Sequence, residues 1–120
     1  MHPDLPDFSS LRFDTMVIGT IGDEGSVIRT ATCTAEEAGR IGSLWNALVA
    51  DESARCHFPA FVISLLRDGQ TVFSANICWQ CSNMRMSGPA ALCSAAAFAT
   101  NTAQAQDLLA LCRQLAGSVT

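Results

Sequence analysis

Asp68-Gly69 stands between two apolar runs, residues 60–66 and 71–77. Such a pair is the strongest short-range hairpin signal, because a two-residue type I′ turn needs φ > 0 at both central positions. A turn there also sets the register, with Leu65 facing Val72, Ile63 facing Ser74 and Phe61 facing Asn76. Carried to the open end, that register places Pro59 opposite Cys78, His57 opposite Gln80 and Cys56 opposite Cys81. The turn type is therefore expected to gather Cys56, His57, Cys78 and Cys81 at one end of one hairpin. A turn of three or four residues would shift every pair.

Those four residues are chemically suggestive. Cys78-Trp79-Gln80-Cys81 is a Cys-x-x-Cys segment, in which a tight turn aims two thiolates at one point. With Cys56 or His57 from the neighbouring strand, the set supplies much of a tetrahedral zinc shell. Soft sulfur and nitrogen ligands disfavour calcium and magnesium. Met84 and Met86 nearby raise copper(I) as another metal, although methionine more often fills gaps in a core. Cys56 and His57 are adjacent, so in a regular strand they point to opposite faces; Pro59 and Phe58 can break that regularity. A second reading is a redox dithiol of Cys78 and Cys81, with Cys56 as a further partner and Arg55 and Arg85 biasing a thiolate. A third is a set of ordinary buried thiols.

The rest of the chain reads as scaffold. At 120 residues it can bury one core. A net charge of −4 argues against a nucleic-acid surface. All seven cations are arginine. No apolar run reaches the length of a membrane span. The polar, proline-containing start at residues 1–7 lacks the basic and apolar regions of a signal peptide, so a cytoplasmic protein with reduced thiols is expected.

Residues 1–12 read as an extended arm, with His2 a solvated terminal residue, and residues 13–120 as a single domain. Strands are expected over 13–21 and 26–33, joined by Gly22-Asp23-Glu24-Gly25, a solvated acidic turn. Thr34-Ala35-Glu36-Glu37 has the capping-box pattern and opens a helix to about residue 50. Its apolar face is Ala38, Ile41, Leu44, Trp45 and Leu48, with Gly39 and Gly42 as local weaknesses. Cys33 and Cys112 read as core thiols. Met84 and Met86 share a face on a short strand beginning at Asn83. Residues 90–100 fit either helix or strand. Asn101 with Gln104 caps a last helix whose stripe is Ala105, Leu108, Leu109, Cys112 and Leu115, with Gly117 at its end. The order is ββαβββ(β)α, an α+β domain whose antiparallel sheet of about five strands carries both helices on one face. Both faces of the central hairpin look apolar, so the second face invites a partner or another copy of the chain.

Cys56-His57-x-Pro59, a strand, Asp68-Gly69, a strand, and Ile77-Cys78-Trp79-Gln80-Cys81-Ser82-Asn83 together resemble a group of small uncharacterised bacterial proteins. These carry Cys-His-x-Pro followed by Ser-Ile-Cys-aromatic-x-Cys-Asn-Asn. The likeness covers most of residues 26–116. This chain departs from it in Ala75-Asn76 before Ile77 and in Ser82 where the group tends to have Asn. The resemblance implies that Cys56, His57, Cys78 and Cys81 form a unit, and it implies a strand near Phe98. It carries no activity.

Three function classes follow. The first is a non-enzymatic domain with a zinc site at the open end of the hairpin and a protein partner or homo-oligomer. The second is a thiol–disulfide or cysteine-based catalytic protein. The third is a protein-binding module with purely structural cysteines. The spacing favours the first.

Overall fold

The computed structural model describes residues 2–52 and 58–117. Its strands are β1 (Thr15–Ile21), β2 (Val27–Thr32), β3 (Phe61–Arg67), β4 (Gln70–Cys78), β5 (Asn83–Ser87) and β6 (Ala95–Ala97). Its helices are α1 (Ala35–Asn46), between β2 and β3, and α2 (Ala103–Ala116), after β6. The six strands form one antiparallel sheet in the order β2-β1-β3-β4-β5-β6. The α+β class, the antiparallel sheet and the two covering helices are as expected, with the third strand after α1 joined by a fourth.

The central turn is the one Asp68-Gly69 demands. Both residues have positive φ, 53° and 80°. Arg67 pairs with Gln70 and Leu66 with Thr71, as a two-residue turn requires. The expected register then fails. A β-bulge leaves Val72 over, and beyond it Leu65 pairs with Phe73, Ile63 with Ala75 and Phe61 with Ile77. The reason is the period of two along a strand. The expected pairs would have put Val72, Ser74 and Asn76 on the core face beside Leu65, Ile63 and Phe61. One extra residue turns Phe73, Ala75 and Ile77 inward instead, and all three are completely buried. The opposite face is left with Val17, Val62 and Leu66 beside Ser64, Ser74 and Asn76. It is mixed, and the expectation of two apolar faces does not hold.

The bulge has a neighbour built for it. The Val72 carbonyl accepts the Ala90 N–H at 3.0 Å. Gly88, at φ 98°, lies so close that a Cβ there would stand 2.8 Å from the same oxygen.

Thr34 caps α1, and Glu37 completes the box in both directions, at 3.2 and 2.8 Å. Ile41 and Trp45 of α1 are enclosed. α2 starts one residue later than expected. Its cap is Thr102, which accepts the Ala105 N–H at 3.1 Å, in place of Asn101. Ala105, Leu108, Leu111, Cys112 and Ala116 are its buried positions, and the expected Leu109 and Leu115 pack half-buried against the core. At the far end Gly117 adopts φ 76°, and the Arg29 guanidinium of β2 lies against it. A cation there complements the negative end of the helix dipole.

The segment expected as an extended arm belongs to the core. Phe8–Ser10 forms a 3₁₀ turn capped by Asp7. Phe8 stacks on Trp45 at 4.5 Å and meets Phe73 edge-on at 5.7 Å. Trp45 Nε1 donates to the Pro6 carbonyl at 2.9 Å, and the Phe8 N–H to Asn46 Oδ1 at 3.0 Å. Residues 1–12 by themselves carry no signal of this, because the partners Trp45 and Asn46 lie in α1.

Candidate functional site

β4 ends at Cys78, which pairs with Asn83 at the start of β5. The connection is Trp79, Gln80, Cys81 and Ser82. Its walls are set by Trp79, whose ring meets Phe61 and Phe98 edge-on at 6.1 Å each. Trp79 Nε1 donates to the Ala105 carbonyl in the first turn of α2 at 2.9 Å. The aromatic residue inside the Cys-x-x-Cys segment is therefore an anchor between sheet and helix. Ser82 takes φ 56°, which turns the chain back into β5. Its carbonyl accepts the Phe98 N–H at 3.0 Å, so the segment after β6 closes over the turn.

Cys78 and Cys81 are close together and wholly buried. The Cys81 N–H donates to Cys78 Sγ at 3.1 Å. A second backbone donor, the Phe58 N–H, reaches the same sulfur at 3.4 Å. Phe58 follows Cys56-His57 directly along the chain, and its own side chain is exposed. Two backbone N–H groups therefore converge on one sulfur.

The sulfur states differ. Cys81 is disulfide-bonded. Cys33, Cys78, Cys93 and Cys112 carry free thiols. The bonded Cys81 departs from the expectation that the thiols are reduced.

Of the expected set, the structure brings Cys78 and Cys81 together; Cys56 and His57 lie outside the described residues. So do their expected pairings with Cys81 and Gln80, but the bulge removes the register that implied those pairings. Among the described residues, no three His, Cys, Asp or Glu side chains form a metal-binding group. Met84 and Met86 point into the core, Met84 pairing with Ile77 and Met86 with Ala75. Arg85, between them in sequence, is exposed opposite Asn76.

The remaining thiols sit elsewhere. Burial pushes Cys112 up to about 12, with the Cys33 sulfur adding to the effect. Cys33 rises to about 11 through burial and then the Glu37 carboxylate. Cys112 is a core thiol, as expected, and Cys33 packs half-buried against the core. Asp23 and Glu24 are exposed at their hairpin tip and line an open cleft of about 510 Å³ with Phe58 and Pro59.

One residue was misplaced by its sequence position. His2 is buried, 4% exposed, against β6. Its partner Ala97 is 95 residues away, so no local pattern announces the contact.

Comparisons with protein-family models, with curated proteins and with solved structures find no match for this chain. No helix among the described residues is long and apolar enough to cross a membrane.

Proposed function

We propose that the end of the hairpin is a thiol–disulfide centre in which three cysteines share one disulfide. Cys81 has its partner in Cys56, and Cys78 is the internal thiol. The observation that carries this reading is the bonded Cys81 held against the free thiol of Cys78, with the Cys81 N–H at 3.1 Å from Cys78 Sγ. Cys56 is the partner the chain offers, since the other four of its six cysteines are free thiols. The Phe58 N–H at Cys78 Sγ brings the chain to the site two residues after Cys56.

The step is an internal exchange. Cys78 sulfur attacks Cys81 sulfur, a bond forms between Cys78 and Cys81, and the bond from Cys81 to Cys56 breaks. The proton of the Cys78 thiol passes to the departing Cys56 sulfur. No electrons are gained or lost, so the exchange needs no outside oxidant. It moves the free thiol from Cys78 to Cys56.

A second reading is the zinc site of Cys56, His57, Cys78 and Cys81. The turn itself favours it: an N–H···S bond from the fourth residue to the first, followed by a left-handed Ser82, suits two sulfurs presented to one ion. The two readings differ in thiol count and metal content. Protein purified without chelator or reductant should carry four thiols after denaturation and no stoichiometric metal, with peptide mapping recovering Cys81 joined to Cys56. Six thiols and about one zinc per chain would replace this reading with the metal site. Six thiols without metal would leave the cysteines structural, and a protein-binding module would lead.

A further inference from the structure

We infer that β2 is the seam of a two-fold dimer, in which this edge of the sheet pairs antiparallel with β2 of a second copy of the chain. The inference does not rest on the thiol–disulfide reading.

The sheet has two edges, β2 and β6. β6 is three residues long, and a very short edge strand offers little to pair with. β2 is six residues long, and every one of them except Ala31 is exposed. Val27 and Ile28 are large apolar side chains left 50% and 57% exposed. The one charge on the strand is Arg29, and its guanidinium is turned back onto Gly117 of its own chain. No charge therefore stands across the edge of β2 itself, the device that usually keeps a second strand away.

The backbone groups on that edge follow from the ladder with β1. The Cys33 N–H donates to the Met16 carbonyl at 2.9 Å. Backbone groups alternate sides along a strand, so those of Ala31 and Cys33 face β1 and those of Thr30 and Thr32 face outward. The register with β1 is unbroken from Thr32 to Arg29, and its irregularity begins only beyond Arg29, where Ile28 is left over. The regular part of the edge is thus Arg29 to Cys33.

That segment is its own complement when Ala31 lies on the two-fold axis. Thr30 then faces Thr32 of the second copy, and each such pair exchanges both N–H···O bonds. Their side chains share the face opposite the helices, because Thr30 pairs with Gly19 and Thr32 with Val17. Ala31 meets Ala31 at the closest approach of the two strands, where a small side chain fits. Arg29 faces Cys33, which keeps the two guanidinium groups apart. Centring on Thr30 would draw Ile28 of the irregular part into the ladder, and centring on Arg29 would set like charges side by side. An isologous contact of this kind closes on itself, so it stops at two chains.

The ladder is about 17 Å long. Alone it covers less than the roughly 800 Å² per partner of a standard interface, so the dimer is reversible, with Kd in the micromolar range. Asp23 and Glu24 flank the ladder at one end and Glu36 and Glu37 at the other. The two-fold axis brings these acidic ends toward each other, so added salt should tighten the dimer by screening them.

Sedimentation of the full chain from about 1 μM to about 1 mM tests this, with and without reductant. The mass should rise with concentration from 12.7 kDa to twice that value and no further, equally in both conditions. Thr30→Pro removes an N–H that β1 does not use and should weaken the dimer at least about tenfold. Thr30→Lys, which leaves the backbone intact, should do the same, with circular dichroism unchanged. Ala95→Lys on the β6 edge should have no effect. In hydrogen exchange, the Thr30 and Thr32 amides should gain protection at high concentration while that of Ala31 stays as it is. A monomer at every concentration would overturn the seam and leave the edge to a strand of another protein. So would a dimer that reductant abolishes, one that both Thr30 variants leave intact, or one that Ala95→Lys weakens equally. The thiol count is read separately, so the failure of either proposal leaves the other standing.

Discussion

Gly88 is the residue whose side chain the fold forbids most clearly. It combines φ 98° with a Cβ position 2.8 Å from the Val72 carbonyl, and that oxygen belongs to backbone that cannot swing away. Gly88→Ala should destabilise the domain by roughly 1–3 kcal/mol, read from denaturant unfolding. Gly39 is the contrast. It lies inside α1, exposed, with no atom within 4 Å of its Cβ position. Gly39→Ala should stabilise by about 0.5–1 kcal/mol in the same measurement. The buried thiol of Cys112 makes a prediction about pH. Its raised folded value means that folding favours the protonated form. The stability this contributes is complete below the ordinary thiol value of 9.0 and is lost as pH rises toward about 12. The melting temperature should fall over that alkaline window, and fall less in Cys112→Ala; identical pH curves would refute the assignment.

At the scale of elements, residues near each other in sequence announced most of what formed. The Asp68-Gly69 turn, the Thr34 and Glu37 box and the Gly117 terminus are local devices, satisfied within a few residues. The bulge at Val72 was not legible. Its advantage appears only when the whole core face of β4 is counted, because it moves Asn76 out and Ile77 in. That gives a test by deletion. Removing Val72 leaves Leu65 opposite Phe73 in a regular hairpin, so the variant should unfold cooperatively at reduced stability. Removing Ser74 turns Ala75 and Ile77 to the outer face, turns Asn76 inward and reverses the face of Cys78. That variant should show no cooperative transition by circular dichroism. The three-residue β6 escaped a firm reading for a related reason. Residues 90–100 satisfy both periods, and pairing with β5 at Met84 selects the strand.

For the whole molecule, the first ten residues matter more than their composition suggests. Phe8 closes the aromatic cluster of Trp45 and Phe73, and Trp45 and Asn46 each hold backbone of that segment. Phe8→Ala should cost about 3–5 kcal/mol, the range for emptying an aromatic core site. A change below 1 kcal/mol would return the segment to the status of a loose arm. The sulfur site divides the same way. The sequence alone determined the α+β order, the central turn, the capping box of α1 and the meeting of Cys78 and Cys81 at a hairpin end. Each rests on spacing and on backbone angles that neighbouring residues impose. Only the tertiary structure decided the register of β4, the anchoring of Trp79 on α2, the burial of His2 and the difference between bonded Cys81 and free Cys78. Those depend on which face wins burial and on contacts across as many as 95 residues, and neither leaves a periodic trace in the chain.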